Sequence, residues 1–187
     1  MTIYQMINAF FVFSFLGYLL ECAVLSYEYS QPVINRGFCH VPFCIIYGFG
    51  AAGAVLLLGP VSDHTWMLFL GAMIMATAME LVTAEVMIRL FGSFWWDYSK
   101  KRFNYRGIIC AQSSIAWGFL GIFFFRFLQG AVVGAVFRIP EVLQAKVAVT
   151  LAVIYLLDFA WCLHRRLGEE DTKDDEPEIG RMKVSRP

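Results

Sequence analysis

Three carboxylates, Glu21, Glu80 and Asp158, fall within apolar stretches long enough to cross a bilayer. An ionisable side chain at bilayer depth costs about 2.5–3.5 kcal/mol on insertion scales, so it faces a partner or a water-filled cavity, not lipid. Carboxylates in that position can take up a proton, act as a general base, or hold a charged substrate or lipid headgroup. Ser14, Gly17, Tyr18 and Glu21 recur at i, i+3, i+4 and i+7, which sets a small and polar stripe on one face of a helix. Arg36 and Arg106 precede two later apolar stretches on the same side of the membrane as the acids. The functional expectation is a cytoplasm-facing cavity lined by Glu21, Arg36, Glu80, Arg106 and Asp158. The structural alternative is a set of ion pairs, Glu21–Arg36 and Glu80–Arg106, that lock the helices together. Glu85 stands four residues before Arg89, the spacing of a surface pair on one helix.

These residues need helices to position them. The 187 residues are 59% hydrophobic with a mean hydropathy of +0.61, which predicts an all-α polytopic membrane protein. Spanning segments are expected at residues 4–26, 65–90, 108–127 and 142–163, with a shorter Gly- and Ala-rich one at 43–58. Residues 128–139 are apolar but too short to cross alone, and read as an interfacial or re-entrant piece ended by Pro140. With the N-terminus outside, twelve Lys and Arg fall inside and three, Arg126, Arg138 and Lys146, outside, so the positive-inside rule gives N-out and C-in. Residues 1–167 form the membrane domain. Residues 168–187 hold seven of the fifteen acids and read as a charged, disordered cytoplasmic tail. The remaining body carries three more bases than acids, which suits anionic headgroups and is too diffuse for nucleic acid.

A shift of 70 residues aligns Arg36-Gly37 with Arg106-Gly107, Ile45 with Ile115, Tyr47 with Trp117 and Gly48-Phe49 with Gly118-Phe119. The reading is a parallel internal repeat of two helix pairs. Residues 94–107 form an interfacial segment whose aromatic and basic side chains suit the headgroup layer. An amphipathic helix there, with Trp95, Trp96, Asp97, Tyr98 and Asn104, is a dock for a soluble partner. No phosphate loop, HExxH or GxSxG occurs, so the chain carries no recognised catalytic motif and implies no cofactor. The five Cys are scattered, and Cys39 and Cys44 read as small membrane residues, not as metal ligands.

Ser14-Phe15-Leu16-Gly17-Tyr18, Asn35-Arg36-Gly37-Phe38, Ile46-Tyr47-Gly48-Phe49-Gly50 and Trp95-Trp96-Asp97-Tyr98-Ser99 together resemble the bacterial ABC-transporter permease family labelled type IV. The resemblance runs over about residues 8–163. It departs at Ile88, where a second Glu is expected, at Gln129-Gly130 in place of His-Pro, and near His40-Val41-Pro42. It implies a multi-pass subunit of the bacterial inner membrane whose ATPase is a separate protein, and it adds Asn35 and Tyr47 to the candidate cavity. Gly130 and Gly134 provide small-residue spacing for packing within one chain or in a homo-oligomer. The other classes in play are a membrane-embedded enzyme acting on lipid headgroups and an accessory or sensory protein with structural ion pairs.

Overall fold

The first helix begins on a reciprocal cap. Thr2 Oγ1 accepts from the Gln5 amide at 3.3 Å, and Gln5 Oε1 accepts from the Thr2 amide at 2.8 Å. In the computed structural model, which describes residues 1–34, 38–94 and 96–174, this cap opens α1, Ile3–Tyr29. The side chains of residues 28, 29 and 167–174 lie outside the description too. So do Asn35, Arg36 and Trp95, and the tail beyond residue 174. The remaining helices are α2 (Ile45–Leu58, extended by a 3₁₀ turn over Gly59–Val61), α3 (Thr65–Phe91), α4 (Ala111–Phe137) and α5 (Glu141–Asp174). Four helices are long and apolar enough to cross a membrane, and Ile45–Val61 is a shorter apolar fifth. The protein is a multi-pass, all-helical membrane protein.

Residues 128–139 are not an interfacial piece. Helix α4 runs on through a π turn at Phe124–Leu128 into Gln129–Phe137, so the apolar stretch completes a crossing. The sequence permits this, because no Pro or charge cluster breaks the helix before Pro140. The turn is packed, with Phe124 buried against Phe13 at 5.3 Å between ring centroids. The end of α4 is capped by the buried Gln144, whose Nε2 donates to the Val136 carbonyl at 3.4 Å and, just beyond the helix, to the Ile139 carbonyl at 2.8 Å. The Gln144 carbonyl in turn accepts from Asn8 Nδ2 at 3.0 Å, which ties α5 to the start of α1. At the other end of the bundle His40 meets Asp158, and α1 and α5, joined near their starts by Asn8 and Gln144, run parallel.

Small residues set the helix spacing. Ala9, Ala51, Ala54 and Ala72 join Phe13, Leu58, Leu68 and Val136 in the buried core. Lipid supplies no hydrophobic drive between helices, so close backbone approach and dispersion contacts hold such a core. Outward faces carry the large apolar side chains, such as Leu56, Trp66, Ile74 and Leu157, as a lipid-facing surface requires.

The second and fourth helices start deep. The Cys44 amide donates to the Ser14 carbonyl at 3.0 Å, where α1 still has fifteen residues, about 22 Å, to run. Ser113 meets Glu80, eleven residues or about 16 Å before the end of α3. The described parts of both connecting segments therefore lie back beside the long helices. The one described after α3 is not an amphipathic helix. It is a turn-rich loop closed by a two-residue antiparallel pairing, Asn104–Tyr105 with Ile109–Cys110. Three positive φ angles within five residues forbid a helix there: 53° at Phe103, 55° at Arg106 and 71° at Gly107.

Candidate functional site

Two carboxylates of the predicted cavity come together. Glu21 on α1 accepts from the Tyr47 hydroxyl of α2 at 2.7 Å. Glu80 on α3 is buried and accepts from Ser113 Oγ of α4, 3.1 Å from each carboxylate oxygen. The Tyr98 hydroxyl, reaching in from the 92–110 loop, donates to Glu80 Oε1 at 3.1 Å. Glu21 lies within electrostatic reach of Glu80 and of Tyr98. Burial pushes the Tyr98 phenol above its ordinary range, and the two carboxylates add to the shift, so Tyr98 stays a neutral donor. Thr77 Oγ1 donates to Ser114 Oγ at 2.8 Å one turn away. The buried Trp117 indole N–H lies close enough to Glu80 to act on its carboxylate, though outside strict hydrogen-bond geometry. Among the described residues neither carboxylate is paired with a cation.

The backbone that delivers these groups is built alike in both helix pairs. Gly48 packs so closely on α1 that an added Cβ would stand 2.7 Å from the Phe10 ring. Gly118, its partner at the 70-residue shift, packs on α3 with an added Cβ 2.5 Å from the Phe69 ring. Tyr47 and Trp117, one residue before each glycine, meet across the bundle with ring centroids 5.8 Å apart. The two matched positions therefore bring Glu21 and Glu80 to a common layer.

Other expected residues go elsewhere. Arg106 does not pair with Glu80. Its Nη1 lies 2.6 Å from Glu85 Oε1, with both side chains partly exposed. This also displaces the expected Glu85–Arg89 pair, because the left-handed turn at Arg106 returns its side chain to the end of α3. Asp158 is absent from the carboxylate cluster and sits with His40 and Cys162. Trp96 Nε1 donates to the Ile108 carbonyl at 2.7 Å. Asp97 accepts from the Ser99 amide and hydroxyl at 2.8 and 2.5 Å, and these bonds hold its carboxyl below the ordinary value. Asn104 Nδ2 donates to the Lys101 carbonyl at 2.8 Å, and its oxygen accepts from the Gly107 amide at 3.2 Å. These three side chains hold the loop itself together, and the exposed surface they leave is Lys100, Arg102, Phe103 and Tyr105.

Sequence reasoning placed Tyr98 among docking residues and Trp117 in the repeat, and it assigned Ser113 no part in the site. Their contribution depends on the 92–110 loop folding back along α3, which no local pattern announces. A cavity of about 800 Å³ opens between α2 and α3, lined by Ile46, Phe49, Leu57, Ile74, Met75 and Met79 among others. A second of about 250 Å³ lies beside Trp66 and Phe119. Both linings are apolar, and neither includes Glu21, Glu80 or Asp158.

No curated protein and no solved structure matches the chain. The profile of the family described as "Putative ABC-transporter type IV" matches residues 8–163, which contain every side chain of the Glu21–Glu80 cluster. With that much of its length matched, the chain belongs to this family.

Proposed function

We propose that the protein is the membrane-spanning subunit of an ABC-type transporter in the bacterial inner membrane, with Glu21, Tyr47, Glu80, Tyr98 and Ser113 as its substrate or coupling site. The observation that carries this reading is the convergence of Glu21 and Glu80, each held by tyrosine or serine hydroxyls from other elements, inside the helix bundle. Two such groups in one low-dielectric layer repel, and a bound positive charge relieves that repulsion. The guest chemistry is therefore a small cationic or hydrogen-bond-donating group, free or as a lipid headgroup, or a proton that couples transport. Tyr47 and Trp117 supply aromatic faces suited to a cation. The apolar groove beside α2 offers a place for an alkyl chain if the guest is a lipid.

The chain has no nucleotide-binding motif, so a separate ATPase would supply the energy. Its dock is the 92–110 loop, whose exposed Phe103 stands out between Arg102 and Tyr105. Tyr98 links that loop directly to Glu80, so movement of the dock would reach the site through one hydrogen bond. A Cβ built at Gly130 or Gly134 meets no atom of another element within 4 Å, which leaves room for a helix of a second copy.

The test is thermal unfolding of the purified protein against a panel of organic cations, neutral polyols and organic anions, in wild type and in Glu80→Gln. Ligand at 100 times its Kd stabilises by about 2.7 kcal/mol. The reading expects cations to raise the unfolding temperature of wild type and not of the variant. Stabilisation by anions alone would contradict it.

A further inference from the structure

Outside the carboxylate cluster, four side chains with metal-ligand chemistry converge where the segment before α2 meets α5. One candidate ligand atom each from Cys39, Asp158 and Cys162 lies within 4.8 Å of the other two. His40 Nδ1 stands 2.8 Å from Asp158 Oδ1 and 3.3 Å from Cys162 Sγ. We propose that Cys39, His40, Asp158 and Cys162 form a zinc-class metal site that clasps the 38–44 segment to α5.

The donor set argues for the metal. Two sulfurs, one imidazole and one carboxylate suit zinc, whose structural sites are four-coordinate and tetrahedral. Hard cations such as magnesium or calcium take oxygen ligands and do not fit two thiolates. Ligand atoms around such a zinc stand roughly 3.3–3.8 Å apart, so the Cys39, Asp158 and Cys162 atoms must draw in by on the order of 1 Å. His40, which lies outside their 4.8 Å group, must shift toward Cys39 and part slightly from Asp158. The exposed His40 ring and the non-helical segment that bears it can supply that movement.

The framework argues for a site rather than a chance meeting. Asp158 and Cys162 are four residues apart on α5 and so project from one face of the helix. Cys39 and His40 are adjacent on the facing segment. Asp158 Oδ2 is held by the Val41 amide at 2.9 Å, which leaves Oδ1 turned toward His40 and Cys162. Such an outer bond orients a ligating carboxylate. Phe38 anchors the segment independently, with ring centroids 5.5 Å from Phe91 and 5.2 Å from Phe159. Both sulfurs start as thiols, and metal binding would release their protons to solvent as the two metal–sulfur bonds form.

The clasp would fix the chain immediately before α2, the helix that carries Tyr47 to Glu21. The experiment is metal analysis of protein purified through a tag free of histidine, followed by cobalt titration of the stripped protein monitored by visible absorption. The proposal expects about one zinc per chain and a tetrahedral cobalt–thiolate spectrum that zinc displaces. Cys162→Ser should lower cobalt affinity by on the order of 100-fold or more, while Cys22→Ser leaves it unchanged. Wild-type protein that gives only the weak spectrum of octahedral cobalt overturns the site. So does a Cys39–Cys162 disulfide found by mass spectrometry in protein kept from oxidation during isolation.

Discussion

Gly17→Ala puts the link between packing and the carboxylate cluster to a single-atom test. A Cβ built at Gly17 overlaps the Tyr47 Cβ and Cγ and stands 2.5 Å from Cδ2. Rotation about χ1 cannot move a Cβ, so relief requires α2 to retreat from α1 by roughly an ångström, given ordinary carbon contacts of about 3.5–4.0 Å. Overpacking of this kind costs about 1–3 kcal/mol. If the retreat also parts Tyr47 from Glu21, a hydrogen bond to a charged group worth about 1.5–3 kcal/mol is lost. Against these stands a gain of about 0.5–1 kcal/mol from replacing a glycine inside a helix. The net expectation is a loss of several kcal/mol in unfolding experiments in mild detergent. Gly130→Ala is the matched control, because nothing lies within 4 Å of its new atom. That variant should be as stable as wild type or slightly more so. A Gly17→Ala protein that unfolds with wild type would refute the close approach of α2 and with it the positioning of Tyr47.

Four further outcomes follow from the geometry. Ser113→Ala removes the hydroxyl shared by both Glu80 oxygens and should cost about 1.5–3 kcal/mol, read from the unfolding midpoint. In Glu80→Gln that penalty should shrink, which a double-mutant cycle measures. Gln144→Met strips the cap from α4 and should cost about 1–3 kcal/mol, checked by the same unfolding assay. Arg106→Ala breaks only the half-exposed pair with Glu85, so its cost should stay below about 1 kcal/mol, and collapse of the fold would contradict the assignment. Asp97 has a carboxyl held below its ordinary value of 3.8 by the Ser99 hydroxyl and amide. A depressed carboxyl stabilises fully above the unfolded value and loses that contribution as pH falls through the lower folded one. Hydrogen-exchange protection of the Ser99 amide should therefore be level above about pH 5 and fall only in strong acid.

Much of the fold is written in hydropathy. The long apolar runs at α1 and α3 specify their helices within a few residues, because a spanning helix must be long and uncharged. Helix α5 starts where expected but continues to Asp174, eleven residues beyond the expected end, so residues 168–174 are helix where a disordered tail was expected. The fate of residues 128–139 was hidden, since length alone cannot tell a short apolar piece from the second half of a helix carried through a π turn. The carboxylates Glu21 and Glu80 could be marked as site residues from their cost in lipid. Their partners could not, because Tyr98 and Ser113 reach Glu80 only once the 92–110 loop folds back. Arg106 misled for a related reason. Charge proximity in sequence favours Glu80, whereas the positive φ at Arg106 turns the side chain to Glu85. Asp158 and Cys162 stand at i, i+4 on one helix, but with the five Cys scattered along the chain that spacing did not mark a metal site. What the sequence did not show was that Cys39 and His40, more than a hundred residues away, lie opposite them.

The central claim, a transporter membrane subunit served by a separate ATPase, is tested most directly by mild-detergent isolation of the tagged protein from its native membrane, with mass spectrometry of what accompanies it. The account predicts a nucleotide-hydrolysing subunit in stoichiometric amount, lost in a Phe103→Asp variant that still folds. A protein isolated intact and alone, or with one enriched lipid and no ATPase, would contradict it.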